Sequence, residues 1–417
     1  MIFYKKLSIY LLFSLSLFIG FLFNENSSGG AKIDHEYLFP FINALSLDFK
    51  AGLENFLNNS GSLIHSPLFY LFTSKLLNVT QSLFIVKILY LIICLSLPFL
   101  FYLILREKYD HHDYFIFYFS LIVFLSPYFR SSAIWLLGDN LSLIFLSISF
   151  LFFLKFNQNT KNNIYGYISI FFLIACCYIR YYYCIFYIYY LLIFFNNAEK
   201  KFVLKILFFS FFLSLPSLIY FYYVITKFNF LNSLNTFGTI NYLNSGMIIL
   251  TIILFYLIPF LFNEDFKIFN YYKKRIKIIF IFLSFFFIIF LIENYSTMKL
   301  IDFPEKGGGV FIKLLTFFNL KETYAILLIS LISLIILDFL FKKNRFQNYF
   351  LLITIIISLP LFTIYQKYLD PLFYLIFFGL IKSDYLDEII MKKKINLKLI
   401  FSYFGSFYLF SLFYYLR

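Results

Sequence analysis

Apolar runs recur along this chain at about the length of a membrane-spanning helix, and that recurrence constrains its fold more than any motif. A helix rises 1.5 Å per residue, so crossing a hydrocarbon core of roughly 30 Å takes about 20 apolar residues. Runs that meet or approach this length fall at 7–23, 82–104, 113–129, 139–156, 163–179, 181–195, 202–226, 246–262, 276–292, 323–341, 348–365, 371–381 and 397–416. Apolar residues make up 62% of the 417 positions and charged residues 13%, which leaves too little polar sequence for a sizeable soluble domain. The expected fold is an all-α polytopic membrane protein: a single transmembrane domain over 1–417, with about thirteen transmembrane helices and a long first outer loop holding interfacial helices.

The net charge of +14 does not point to nucleic acid. Lys and Arg cluster in short tracts between the apolar runs: Arg106/Lys108, Lys161, Lys200/Lys201, Lys273/Lys274/Arg275, Lys342/Lys343/Arg345 and Lys392/Lys393/Lys394. If the run after Lys5 and Lys6 is an uncleaved signal anchor with its N-terminus inside, alternation puts all of these tracts on the inner side, as the positive-inside rule requires. Four cysteines, all in or beside apolar segments, suggest neither metal spacing nor a disulfide framework. The outer segments of real length are then 24–81, 130–138, 227–245 and 293–322. In the first, 67–78 is too short to span. It carries Leu68, Phe72 and Leu76 on one helical face and Tyr70, Ser74 and Asn78 on another, as an interfacial helix would.

Candidate chemistry concentrates on the outer side. Lys32-Ile33-Asp34-His35-Glu36-Tyr37 opens an apolar helical pattern after the flexible stretch Asn26–Gly30. Asp34 has two readings, a helix cap or a general base whose charged form is disfavoured beside an apolar wall. Residues two apart lie on different faces of a helix, so Glu36 is not its matched partner and instead orients an acceptor or a cation. The second outer loop has Arg130 at the end of one run and Asp139 at the start of the next, where Asp139-Asn140 also makes a good cap. Trp135, the only tryptophan, fits an interfacial anchor. Arg180 sits in a join with almost no loop, and Lys367 lies in Tyr365–Pro371; each can snorkel, pair with an acid or bind a phosphate. Glu305-Lys306-Gly307-Gly308-Gly309 lacks phosphate-loop spacing and reads as a mobile outer turn, and His111-His112 as a solvated inner loop.

Together, Asp34-His35-Glu36-Tyr37, then His65-Ser66-Pro67-Leu68-Phe69-Tyr70, then Arg130…Asp139 resemble the GT-C superfamily of membrane glycosyltransferases. The pattern is nearest to protein O-mannosyltransferases, aminoarabinose transferases and dolichyl-phosphate-glucose glucosyltransferases. It covers about the first 200 residues and Tyr365–Pro371, and it departs where His35 separates two acids that are often adjacent and Ser66 replaces a proline. The resemblance implies inverting transfer from a polyprenyl-phosphate sugar to a lipid-linked or glycan acceptor, on the membrane face away from the cytosol. It implies Asp34 as base, Glu36 as its acidic neighbour, and Arg130, Arg180 and Lys367 as candidates for the lipid phosphate. Tyr37, His65 and Asp139 complete the expected substrate-binding set. Membrane lipids are the other partner. No cofactor is required, although a divalent cation is compatible with the acids. The expected location is the bacterial inner membrane with the site facing the periplasm, or the endoplasmic reticulum membrane in a eukaryote. A polysaccharide polymerase or ligase would be expected to carry an arginine-rich late loop, which 293–322 is not; a transporter would be expected to carry mid-helix charges, which are nearly absent.

Overall fold

A computed structural model describes residues 2–58, 67–109, 113–228, 241–263, 267–295, 307–318, 322–359 and 364–415. Among them every regular element is helical and none is a strand. The chain divides into two compact units, residues 1–234 with 401–417, and residues 235–400.

The first unit opens with α1 (Ile2–Leu22), followed by three short helices, α2 (Ala31–Leu47), α3 (Phe49–Asn58) and α4 (Leu68–Thr80). Two consecutive helices follow, α5 (Leu83–Cys94) and α6 (Ser96–Tyr109), which together form one apolar stretch of 27 residues. Ser82 caps its start by accepting from the Ile85 amide. Next come α7 (Asp113–Ser120), a 3₁₀ turn at Leu121–Leu125, α8 (Pro127–Ile134) and α9 (Gly138–Gln158). The unit continues through α10 (Asn163–Cys177), a 3₁₀ turn at Tyr181–Ile185, α11 (Phe186–Asn197) and α12 (Lys200–Phe228). The second unit holds α13 (Tyr242–Leu261), α14 (Ile268–Lys273), α15 (Ile276–Tyr295), α16 (Gly309–Phe317), α17 (Glu322–Leu340), α18 (Arg345–Ser358) and α19 (Asp384–Met391). The last helix, α20 (Leu397–Tyr415), belongs to the first unit from Phe401 onward.

Among the described residues each of the thirteen apolar runs is largely helical, but fewer reach spanning length. Among the described residues, seven helices are long and apolar enough to cross a membrane, or eight if a bent pair counts as one span. They mark a membrane protein, with a count below the thirteen expected from the runs. The difference lies in length: α10 has 15 residues and α18 has 14, and the run at 371–381 is a short helical turn followed by a π-helical turn at Leu375–Leu380.

One break shapes the first unit. Tyr114–Leu125 and Pro127–Ile134 meet at 65°. Ser126 is extended (ψ 116°), as the residue before a proline prefers, and its hydroxyl accepts from the Phe129 amide to restart the helix. Helix α4 forms where the periodicity placed it, but it buries the other face. Tyr70 and Ser74 are buried with Phe69, Thr73 and Leu77, whereas Leu68, Phe72 and Leu76 are only half-buried. The mixed face turns inward because α4 packs on α2, and Tyr70 meets Phe41 of α2 and Phe56 of α3.

In the second unit, α13 is almost wholly enclosed and packs along α17. The turn at Gly307–Gly309, expected to be mobile, is pinned. All three glycines have positive φ (104°, 76°, 79°), which only glycine adopts without strain. The Gly308 amide donates to the Ile364 carbonyl, and the Val310 amide to Gln366 Oε1. Glu305 and Lys306 lie outside the described residues, as do His111 and His112. Near the end of α17, buried Asp338 accepts from Tyr271, Tyr272 and Tyr349, with Arg345 Nη2 at 3.2 Å from each oxygen.

The α2–α3 hairpin depends on one small residue. A Cβ at Gly52 would stand 2.5 Å from the Leu45 amide nitrogen, and backbone cannot step aside as a side chain can. Gly52→Ala is expected to lower the melting temperature in detergent and to expose 31–58 to limited proteolysis, whereas Gly405→Ala, in open space on α20, changes neither.

Candidate functional site

The candidate residues of the first unit fall around two ion pairs that the sequence does not announce. The first begins at the end of α1. Asn24 takes the left-handed conformation (φ 52°), and the Glu25 amide donates back to the Gly20 carbonyl at 2.8 Å, a helix-ending motif that turns Glu25 under its own helix. There it meets Arg130, presented by the 65° break. Arg130 Nη2 lies 2.6 Å from Glu25 Oε2, and the two side chains are 4% and 5% exposed, so the pair is effectively out of water. Arg130 Nε also donates to Glu25 Oε1 at 2.8 Å, and its terminal nitrogens reach the Ser16 hydroxyl and carbonyl. Glu25 further accepts from the Ser27 and Tyr408 hydroxyls, and the Tyr408 ring covers the guanidinium.

The expected Arg130…Asp139 pattern is therefore two pairs with different partners. Asp139 is in the first turn of α9 and binds Arg180 Nη2 at 2.9 Å. It does not cap the helix, since the cap position is Leu137. Here the side chains are 15% and 17% exposed, which leaves this pair reachable where Glu25–Arg130 is not. Burial alone would lower the Arg180 guanidinium pKa, but Asp139 more than offsets it and holds the group above its ordinary value. Tyr70 of α4 lies in the field of Arg180, Tyr37, Tyr220 and Asp139. Three of the expected binding residues, Tyr37, Asp139 and Arg180, thus act electrostatically on Tyr70, and Tyr37 is linked to it through the Phe41 ring.

Asp34 sits in the first turn of α2, half-buried, after a cap position held by Gly30. The cap position is therefore not Asp34. Tyr37 follows three residues later, on the same side of the helix. Glu36 faces solvent beside Lys32 at 3.9 Å. His35 is buried between Phe39 and Trp135, with Nδ1 lacking a hydrogen-bond partner. Burial pushes its imidazole pKa down to about 4, and the Lys87 ammonium adds to the shift. Trp135 is no interfacial anchor: it is 7% exposed, and its indole N–H donates to the Glu25 carbonyl at 2.8 Å. Leu136 beside it takes φ 54°, a strained left-handed backbone that ends α8 and lets α9 start two residues on. His65 lies outside the described residues. Lys367, in the second unit, packs over Tyr365 and Tyr368.

Sequence reasoning missed Glu25, Ser16 and Tyr408. Glu25 had one signal, an acid placed directly at the end of an apolar run. Ser16 and Tyr408 had none, because their roles exist only once distant helices meet. Among the described residues no cluster of three or more His, Cys, Asp or Glu side chains could hold a metal ion. Comparison with protein-family models, curated proteins and solved structures finds no match to this chain.

Two measurements test this geometry. Removing one partner of a buried ion pair leaves an unpaired charge and costs about 3–5 kcal/mol. Glu25→Gln or Arg130→Met alone should therefore lower thermal stability strongly, and the double variant should recover part of the loss; additive losses would deny the coupling. The second concerns acid. Above pH 6.5 His35 is neutral in folded and unfolded chains alike, and between 6.5 and about 4 only the unfolded chain takes up the proton. Stability should fall as pH drops through that window, and His35→Phe should flatten the fall in a pH series of melting curves.

Proposed function

We propose that the protein is an inverting membrane glycosyltransferase that moves a sugar from a polyprenyl-phosphate donor to a lipid-linked or glycan acceptor. It works at the membrane face opposite its basic loops, periplasmic or lumenal. What supports this reading most is the gathering of Tyr37, Tyr70 and the partly exposed Asp139–Arg180 pair, one helical turn from a half-buried Asp34. Carboxylate, tyrosine hydroxyls and cation are the groups that such a transfer needs.

In the proposed reaction Asp34 takes the proton of the acceptor hydroxyl as its oxygen bonds to the anomeric carbon. The bond from that carbon to the phosphate oxygen breaks on the opposite face, and the electron pair leaves on the lipid phosphate. Attack opposite the leaving group inverts the anomeric centre. Arg180 is the cation assigned to the phosphate, because a charge-assisted contact there is worth most where water is scarce. Arg130 moves to a supporting role, since its hydrogen bonds are largely spent on Glu25 and Ser16. The inner placement of the basic loops belongs to the same proposal.

In vesicles supplied with a polyprenyl-phosphate sugar, Asp34→Asn should reduce transfer by about two to four orders of magnitude without changing membrane insertion. Arg180→Ala should raise the donor KM more than it lowers kcat, with Arg180→Lys intermediate. Full transfer by Asp34→Asn removes Asp34 as base, and an unchanged donor KM returns Arg180 to a structural role.

A further inference from the structure

The four cysteines follow no spacing pattern in the sequence, yet the fold brings two of them together. Helix α10 ends at Cys177, and the chain doubles back at once. The Arg180 amide donates to the Cys176 carbonyl at 2.9 Å, and the Tyr183 amide donates to the Arg180 carbonyl at 3.2 Å. Arg180 itself is extended (φ −132°, ψ 97°), and the 3₁₀ turn at Tyr181–Ile185 folds against the end of α10. This reversal carries Cys184 back to Cys177, whose thiol donates a hydrogen bond to the Cys184 sulfur.

Access separates this pair from the other cysteines. Cys94 and Cys176 are fully enclosed, whereas Cys177 is half-buried and Cys184 is exposed. The thiolate is the nucleophile in disulfide chemistry, so a reactive cysteine needs both exposure and an accessible charged form. Cys184 lies in the turn, outside the spanning helices, and the hydrogen bond from Cys177 draws its pKa down to about 7 against the opposing effect of burial. A substantial share of Cys184 is therefore thiolate at neutral pH. An exposed sulfur that ionises readily, with a second thiol in contact, is the arrangement of an attacking and a resolving cysteine.

We infer that Cys177 and Cys184 are a redox-active dithiol, which a disulfide-bearing oxidant joins across the Arg180 turn. The Cys184 thiolate attacks one sulfur of the oxidant's disulfide. That S–S bond breaks, the other oxidant sulfur leaves as a thiolate, and a mixed disulfide remains on Cys184. The Cys177 sulfur, having given up its proton, then attacks Cys184 Sγ and expels the second oxidant sulfur. Two protein thiols are oxidised, the oxidant is reduced to two thiols, and their protons come from Cys177 and Cys184. The new bond closes a ring over residues 177–184 with Arg180 inside it, so the redox state of the pair restricts the turn that presents Arg180 to Asp139. The bond does not depend on the proposed transfer, although the outer side assigned there to this turn is where disulfides persist.

The full-length protein in detergent is reduced, freed of reductant and treated with oxidised glutathione, and its mass and its linked peptides are read by mass spectrometry. The wild type should lose two hydrogens, keep no glutathione, and yield a crosslinked pair of peptides that hold Cys177 and Cys184. Cys177→Ser removes the resolving thiol and should instead keep one glutathione on Cys184, with Cys177→Ala as the second variant should serine disturb the helix end. Cys184→Ser should take up none, and Cys176→Ser should form the Cys177–Cys184 bond as the wild type does. A wild type that stays unchanged in mass, or that retains glutathione on Cys184, overturns the dithiol. Loss of two hydrogens that persists in both Cys177 variants places the resolving sulfur elsewhere and overturns the pair. None of these readouts depends on sugar transfer.

Discussion

The first unit depends on an ion pair held out of water. Two opposite charges in a low-dielectric interior repay their desolvation only when geometry is close and the remaining lone pairs are filled. Glu25 and Arg130 meet that condition, because every Glu25 oxygen is doubly satisfied and a tyrosine ring lies over the guanidinium. The same carboxylate residue offers its carbonyl to Trp135, and Trp135 carries His35 and so the start of α2. One buried pair thus fixes the end of the first helix, the bend at Pro127 and the acidic segment with its half-buried Asp34.

This arrangement separates two uses of arginine. Arg130 and Arg180 look alike in the sequence, each a lone cation at the end of an apolar run. Enclosure distinguishes them. Arg130 has bonded partners on nearly every side, and its work is to hold helices together. Arg180 shares one acid and keeps part of its surface open beside Tyr70 and Tyr37, which makes it the better partner for an incoming anion. The transfer proposed above would draw on both kinds, a scaffold that stays dry and a cation that a headgroup can reach.

Much of the fold is legible in the sequence, because apolar length and periodicity are local properties. The helices at 7–23, 139–156, 202–226 and 397–416 come out within a few residues, and so does the short helix at 67–78. What fails is anything settled by packing. The buried side of α4 was misread because its mixed face is matched by aromatic rings of α2 and α3 that no local pattern reveals. The role of Trp135 was misread because its hydrogen-bond acceptor, the Glu25 carbonyl, lies 110 residues away. The glycine turn at 307–309 looked mobile, since Gln366, which pins it, is distant in sequence. Of the candidate site, Asp34, Tyr37, Asp139 and Arg180 could be listed from the sequence, but the approach of the last three to Tyr70 could not.

The contact between Tyr408 and Glu25 spans 383 residues, and it closes a unit whose other parts are complete by residue 234. During synthesis the first helix, the bend and the Arg180 join all leave the ribosome before the second unit, residues 235–400, is made. Until α20 follows, Glu25 lacks its fourth donor and the guanidinium its aromatic cover. The nascent first unit therefore waits, assembled but unlatched, while an entire second body is inserted. Quality control that acts on exposed polar groups in the bilayer would have its longest opportunity during that interval, and the final helix ends it.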